Sequence, residues 1–207
     1  MFKNLIPLVL FLAVAVLSPA HAQGTAQGAQ TFAPEVVTID RVNFDSPQDD
    51  WIRMEIRMTA NANPKPDARN NRFIEDIRVK AYLVYTRDQA AREFDFYISE
   101  VEIPIMERGD RRHVYFYLPG PIAKRDTLRR EPDYYFVEIF FDGVAQEPQV
   151  RGMSRSLTPT SLISMKQLAD AEASSNEHLL MPVYLAPGNV LGRLDAMPVF
   201  LRRDVRN

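Results

Sequence analysis

Residues 51–60 read WIRMEIRMTA, and apolar and charged side chains alternate along this run. Ile52, Met54, Ile56 and Met58 fall on one side of an extended chain, whereas the residues between them are Arg and Glu. A period of two is typical of an amphipathic β-strand that buries one face. The run therefore predicts a strand whose apolar side faces a core.

Similar β-prone runs lie on both sides of this strand and are separated by turn-forming residues. They occupy residues 36–44, 73–86, 94–105, 114–118 and 134–141, and Asp142-Gly143 then predicts a tight hairpin with a return strand from Val144. About seven strands at this spacing are typical of an immunoglobulin-like β-sandwich. We therefore predict an all-β fold of this kind over residues 34–157.

One irregularity is expected within the run at 94–105. Phe94, Phe96 and Ile98 are apolar at even positions, whereas Val101 and the apolar residues after it stand at odd positions. A change of parity of this kind predicts a bulge or a bend near Ser99 and Glu100.

The N-terminal segment has the pattern of an export signal. Lys3 precedes an apolar stretch from Leu5 to Leu17, and Ala20-His21-Ala22 matches the small-x-small pattern of a cleavage site. Residues 1–22 are therefore predicted to be a signal peptide, and residues 23–33 a flexible leader. We expect a protein exported to the periplasm or the cell surface, with no transmembrane segment in the mature chain.

Residues 158–207 differ in character from the predicted sandwich. Between Thr160 and Ser174 the apolar residues recur at helical spacing, which predicts one short amphipathic helix. The residues that set this spacing are Leu162, Met165, Leu168 and Ala169. The residues after Asn176 have no long period and predict an extended C-terminal tail.

This tail contains the same short phrase twice. The copies are Met181-Pro182-Val183-Tyr184-Leu185 and Met197-Pro198-Val199-Phe200-Leu201. Proline favours an extended backbone, so the apolar residues could bind in a groove or beside the sheet edge of a protein partner. Alternatively, both copies could cover the edges of the chain's own sandwich and block aggregation. The sequence leaves both interpretations open.

Composition disfavours several classes of function. The formal net charge is −2, so no basic field favours nucleic acid, and the chain has no Cys for disulfides or a lipid anchor. No metal-binding, nucleophile or phosphate-loop motif is present, and His113 and His178 are the histidines left after export. We therefore expect no catalytic residue, no cofactor and no metal ligand.

Two further surface features suggest binding. Tyr82, Tyr115 and Tyr117 are expected on outward faces, where they could stack on sugar rings, so a carbohydrate-binding module is the alternative function. The second feature is Arg108-Gly109-Asp110, an integrin-type adhesion tripeptide in a predicted turn. Both have a structural interpretation, because aromatic pairs stabilise sheets and Gly-Asp favours turns.

Residues 128–139 read LRREPDYYFVEI and resemble the corner that opens strand F of immunoglobulin-like and fibronectin type III domains. Tyr135, Val137 and Ile139 match the Tyr-x-Val-x-Val pattern of that strand. The resemblance implies that Tyr135 is a structural corner residue whose hydroxyl bonds to upstream backbone. It covers twelve residues and bears on the fold alone.

The chain as a whole resembles the small exported immunoglobulin-like proteins of bacterial type IV pilus gene clusters, which are similar to archaeal pilus and archaellum accessory domains. Arg41-Val42-Asn43-Phe44 and residues 51–56 carry this resemblance. It implies a structural or interaction role in pilus assembly with a protein partner. In a pilin the apolar segment is kept as a long helix with a glutamate near its start, whereas here it precedes a cleavage site and has no acid. The resemblance therefore implies an accessory protein that does not polymerise as a pilin does.

Overall fold

Eight strands and two α-helices form in the computed structural model, which describes residues 31–91, 93–172, 176 and 178–202. The strands are β1 (Val37–Asp45), β2 (Ile52–Ala60), β3 (Phe73–Asp88), β4 (Glu93–Glu107), β5 (Arg111–Leu118), β6 (Tyr134–Phe141), β7 (Val144–Ala145) and β8 (Met181–Pro182). The helices are α1 (Gly120–Arg125) and α2 (Pro159–Glu172), and short 3-10 helices lie at Val150–Gly152 and Gly188–Val190.

The strands form two antiparallel sheets of four. The first sheet has the order β1-β2-β5-β8 and the second has the order β4-β3-β6-β7. Strands β1 to β7 follow the order of an immunoglobulin-like sandwich, because the chain crosses between the two sheets after β2, β4 and β5. The predicted all-β sandwich is confirmed. In such domains a strand from the middle of the chain lies beside the equivalent of β5. Here β8, from the C-terminal tail, occupies that position.

The core lies between the two sheets and is built from the alternating residues of each strand. Met54, Ile56 and Met58 of β2 are fully buried, as the alternation in residues 51–60 predicts. They pack with apolar residues of the facing sheet, among them Ile77, Val79, Ala81 and Leu83 of β3 and Ile139 and Phe141 of β6. Burial of this apolar area is the main stabilising contribution to such a fold.

Helix α2 covers the outer face of the second sheet. Leu162, Met165 and Ala169 are buried against a cluster formed by Tyr82, Val84, Phe96 and Phe136. Thr158 and Ser161 exchange backbone and side-chain hydrogen bonds at its start, which satisfies free N–H groups of the first turn. The predicted helix is confirmed within this range, although Leu168 is exposed.

The predicted signal peptide and residues 23–30 of the leader lie outside the described residues. Phe32, at the end of the leader, packs edge-on against Phe141, with ring centroids 5.6 Å apart. The backbone N–H of Phe32 also donates to the carbonyl of Ala145 at 2.9 Å. Residues 31–33 were predicted to be flexible, but Phe32 contributes to the sandwich because its ring covers the end of β6.

Two glutamine side chains complete the free edge of β1. Gln146 accepts a hydrogen bond from the N–H of Val37 at 3.0 Å and donates to the carbonyl of the same residue at 2.9 Å. Gln149 accepts from the N–H of Ile39 and donates to the Val37 carbonyl, each at 2.7 Å. These amides therefore substitute for a neighbouring strand, since the exposed edge of a sheet otherwise carries unpaired groups.

The connection from β5 to β6 packs closely on the turn between β1 and β2. Gly120 begins α1 there, and Lys124 reaches Asp50 of the turn at 2.9 Å. After the helix, Asp126 accepts hydrogen bonds from the Tyr97 hydroxyl and from the Arg125 guanidinium, each at 2.6 Å. These bonds join α1 to strand β4.

Asp126 should make stability depend on pH in acid. The Arg125 guanidinium, together with the Tyr97 hydroxyl, lowers the pKa of Asp126 below its ordinary value of 3.8 despite partial burial. A carboxyl whose pKa is lower in the folded state stabilises the fold above its ordinary pKa, and this contribution is lost as the pH falls through the folded value. Thermal unfolding from pH 6 down to about pH 2 should therefore show a smaller decrease in Tm for Asp126→Asn than for the parent protein.

The matched control is Asp67→Asn, which changes an exposed aspartate in the loop between β2 and β3. Its Tm should decrease with falling pH as steeply as that of the parent protein. Equal acid sensitivity in Asp126→Asn and the parent would contradict the role given to Asp126.

Candidate functional site: the C-terminal tail

The C-terminal tail, defined as residues 178–202, closes one side of the sandwich. Met181 and Pro182 pair with Tyr117 and Phe116 of β5 as the short strand β8. The N–H of Val183 then donates to the Tyr115 carbonyl at 3.1 Å. Pro182 and Val183 are buried, so the first copy of the repeated phrase covers the edge of its own sheet.

The middle of the tail turns back over the outer face of the first sheet. Tyr117 donates its hydroxyl to the Leu191 carbonyl at 2.8 Å, and the N–H of Asp195 donates to the Tyr115 hydroxyl at 3.0 Å. Arg53 donates to the carbonyls of Leu191 and Arg193 at 2.9 and 2.8 Å. The tail is therefore fixed to the sheet by side chains that point outward from β2 and β5.

Arg53 forms an ion pair with Asp45 beneath the tail. Its guanidinium forms a bidentate pair with Asp45, with Nε 2.8 Å from Oδ1. The hydrogen bond to Asp45 raises the pKa of Arg53, although its burial acts in the opposite direction. Burial also raises the pKa of Tyr115 and of Tyr117, so both phenols stay protonated and keep their hydrogen bonds in neutral solution.

The second copy of the phrase bridges the edges of the two sheets. Just before this copy, the Ala196 carbonyl accepts a hydrogen bond from the backbone N–H of His113 in β5 at 2.9 Å. At its end, the backbone N–H of Leu201 donates to the Glu102 carbonyl of β4 at 2.8 Å. The aromatic residues of the two copies meet, because the ring centroids of Tyr184 and Phe200 are 5.8 Å apart. The two phrases thus lie next to each other on the same side of the sandwich.

The two copies differ in what they expose. Pro198 is buried and Phe200 is half-buried, whereas Met197, Val199 and Leu201 are 38%, 67% and 48% exposed. Alternate residues of an extended segment point in opposite directions, so these three side chains form one outward apolar row. The segment meets β4 at Leu201, which pairs with Glu102, and Ile105 of the same strand is also exposed.

The predicted tyrosine platform is wrong. Tyr115 and Tyr117 do point outward from the first sheet and Tyr82 from the second, but each is at most 2% exposed. The tail covers Tyr115 and Tyr117, and helix α2 covers Tyr82. No sugar ring can stack on these faces, which removes the support for a carbohydrate-binding module.

The adhesion tripeptide forms the turn between β4 and β5. Gly109 has a φ of +90°, and the backbone N–H groups of Arg108 and Gly109 donate to the carbonyls of Arg72 and Ala60, each at 2.7 Å. The carboxylate of Asp110 forms an ion pair with Arg112 at 2.7 Å. The tripeptide is therefore held against neighbouring loops, and its acidic group already has a cationic partner.

Tyr135 lies in the first part of β6, as the resemblance implies. Its ring packs edge-on against Phe44, with centroids 5.1 Å apart, and its backbone N–H donates to the Ser154 hydroxyl at 2.7 Å. The implied bond from its own hydroxyl to upstream backbone is not among the hydrogen bonds of the described residues. Ser154, which follows β6 in the chain, fixes this corner instead.

His113 takes part in a polar cluster that the sequence did not indicate. Its Nδ1 lies 2.7 Å from Oε1 of Glu55, which also accepts a hydrogen bond from the Tyr115 hydroxyl, while Oε2 of Glu55 accepts one from the Asn43 amide. Burial would raise the pKa of Glu55, but the hydrogen bonds from Asn43 and His113 lower it overall. Glu55 is therefore ionised beneath the tail in neutral solution.

None of the helices within the described ranges is long and apolar enough to span a membrane. No family model matches the chain, and no curated protein matches it. A crystal structure of a protein from Akkermansia muciniphila is similar to it, with a TM-score of 0.59 and 17% sequence identity. The match covers 81% of this chain and 93% of the other, and at this identity it supports the fold alone.

Proposed function

We propose that this protein is an exported, non-enzymatic interaction protein of the bacterial cell surface that binds a protein partner of type IV pilus assembly through the second phrase of its tail. The observation that carries the proposal is the outward row of Met197, Val199 and Leu201. The resemblance of residues 41–44 and 51–56 to proteins of pilus gene clusters supports the pilus context, and the predicted signal peptide supports export.

The tail segment has the physical features of a recognition strand. An extended segment presents apolar side chains at every second position, and a partner can bind these in pockets while pairing with backbone. Pro198 lacks an N–H and so limits indiscriminate strand addition at this edge. In the neighbouring first phrase Pro182 and Val183 are buried and Leu185 alone is strongly exposed, so the proposal places binding at the row in residues 197–201 rather than along the whole tail.

Substitution of the exposed row tests the proposal without removing the tail. Deletion of the tail would uncover Tyr115 and Tyr117, so a loss of binding after deletion could follow from unfolding. We therefore expect a triple variant, Met197→Ser with Val199→Ser and Leu201→Ser, to keep its fold. Its capture of the envelope partner in a crosslinking pull-down should decrease about tenfold or more, because about 1.4 kcal/mol is tenfold in affinity and burial of three apolar side chains together contributes more than that.

The control carries Val150→Ser and Ile163→Ser, which remove two exposed apolar side chains outside the tail. It should capture the partner as the parent protein does. Capture of a pilus component at parent levels by the triple variant would assign binding to another surface, and capture of no pilus or envelope protein by the parent would contradict the function itself.

A further inference from the structure

Three side chains that can bind a metal ion converge between the tail and the first sheet. Glu55 lies on β2, His113 on β5 and Asp195 in the tail, and one potential ligand atom from each lies within 4.8 Å of the others. Glu55 and His113 are diagonal neighbours on the outer face, since Glu55 is opposite Tyr115 and His113 is opposite Arg57. The chain positions of the three residues give no hint of this contact.

Backbone hydrogen bonds hold Asp195 above the other two residues. Its own N–H donates to the Tyr115 hydroxyl at 3.0 Å, and the next carbonyl, that of Ala196, accepts from the N–H of His113 at 2.9 Å. The main chain of the third ligand is thus fixed on both sides. Its side chain is about half exposed, whereas those of Glu55 and His113 are largely covered.

This set of donor atoms suits a borderline divalent metal ion. Zn²⁺ and related ions combine imidazole nitrogen with carboxylate oxygen at about 2.0–2.2 Å, and three protein ligands with one water are typical of an open zinc site. At such bond lengths, tetrahedral ligand atoms lie about 3.3 Å apart. Glu55 Oε1 and His113 Nδ1, now 2.7 Å apart, need to separate only slightly, while the exposed Asp195 carboxylate turns inward.

The surrounding charges permit a cation at this position. Glu55 and Asp195 each bring a carboxylate to the cluster, and carboxylates attract a cation. Arg193 lies 4.0 Å from Asp195, but its side chain is almost fully exposed and can move into solvent. Arg53 lies over the Tyr115 ring, and its guanidinium is already paired with Asp45.

We propose that Glu55, His113 and Asp195 bind one Zn²⁺-type ion, which joins the tail to the first sheet. Coordination through Nδ1 of His113 replaces its hydrogen bond to Glu55 and places the ring proton on Nε2. The ion would connect β2, β5 and the tail at a point between the two copies of the repeated phrase. This inference does not depend on the proposed partner.

Calorimetric titration of Zn²⁺ into the tag-free protein tests the site. We expect saturable binding of one ion per chain, and an affinity at least about tenfold weaker in Asp195→Asn and in His113→Gln. Mg²⁺, which favours six oxygen ligands, should give no binding over the same concentration range. Asp67→Asn and His178→Gln change an aspartate and a histidine outside the cluster and should bind Zn²⁺ as the parent does.

Two results would overturn the proposal: no saturable Zn²⁺ binding by the parent protein, or an unchanged affinity in either cluster variant. Asp195→Asn alters an exposed side chain and keeps the backbone bonds of the tail, so it decides the question even if His113→Gln does not fold. A failure here would leave binding of the protein partner through residues 197–201 unaffected, because that row lies outside the three ligands.

Discussion

Replacement of Gly120 by alanine should lower the free energy of unfolding by about 3 kcal/mol. A Cβ atom at this position would lie 2.1 Å from the carbonyl oxygen of Asp49 and 3.3 Å from the backbone nitrogen of Trp51. Both contacts are with main-chain atoms, which cannot rotate away as the end of a long side chain can. Helix α1 or the turn between β1 and β2 must therefore move.

That turn has little freedom to accept the added methyl group. Asp49 and Asp50 both have positive φ values, 49° and 60°, and the N–H of Trp51 donates to the Gln48 carbonyl at 2.9 Å. A shift would also strain the contact between Lys124 and Asp50. The requirement at Gly120 concerns space, since its own φ lies outside the left-handed region.

Urea unfolding measures this effect as a lower transition midpoint at an unchanged dependence on denaturant. Gly188→Ala is the matched control, because a Cβ there has no neighbour within 4 Å and the residue does not have a positive φ. Its free energy of unfolding should stay within about 0.5 kcal/mol of that of the parent. Equal midpoints for the two alanine variants would show that the turn adapts freely.

Replacement of Gln146 by leucine should destabilise the protein by about 2 kcal/mol. The substitution keeps a side chain of similar size but removes the acceptor for the Val37 N–H and the donor to the Val37 and Pro34 carbonyls. Gln146 is buried, so water cannot easily replace the amide. The Val37 carbonyl keeps its bond from Gln149, but its N–H loses its partner, and a buried unpaired donor is costly.

The same urea experiment tests this second change. Gln167→Leu makes the same substitution on the exposed face of α2 and should leave the midpoint nearly unchanged. Hydrogen exchange adds a local readout, because opening of the β1 edge should increase the exchange rate of the Val37 amide more than that of amides in β3. A Gln146→Leu variant as stable as Gln167→Leu would mean that these side-chain bonds contribute little.

Alternation along the strands was sufficient to predict the inner layers of the sandwich. Met54 and Ile56 are buried because every second residue of β2 faces the opposite sheet, and the same argument places Val79 and Leu83 of β3. Alternation does not show whether the outer face is covered. Tyr115 was correctly placed on that face, but its burial depends on a tail that joins it from about 80 residues later in the chain.

The change of parity near Ser99 and Glu100, which predicted a bulge or a bend, also results from a covered outer face. The pairing of β4 with β3 continues there without a shift, from Tyr82 opposite Ile98 to Val79 opposite Val101, so the predicted bulge is wrong. The change of parity arises because α2 covers the outer face at Phe96, whereas Val101 faces the core between the sheets. One continuously paired strand therefore carries apolar residues first on its outer face and then on its inner face.

The metal-binding cluster could not be predicted from the sequence. Its three residues come from two strands and the tail, and none of them belongs to a motif with ligand spacing. Their approach depends on the path of the tail over β5, which is set by the buried contacts of Tyr115 and Tyr117 rather than by a local pattern. Only the three-dimensional path of the chain brings them together.

The position of β8 has a consequence for biosynthesis. The strands that residues 178–202 cover are all translated earlier, so the margins of β4 and β5 remain open while the intervening chain is made. At about 5–20 residues per second, this interval lasts for seconds. A nascent or prematurely terminated chain thus presents unpaired strand edges to chaperones and proteases. Pairing of β8 with β5 removes this exposure at the edge of the first sheet.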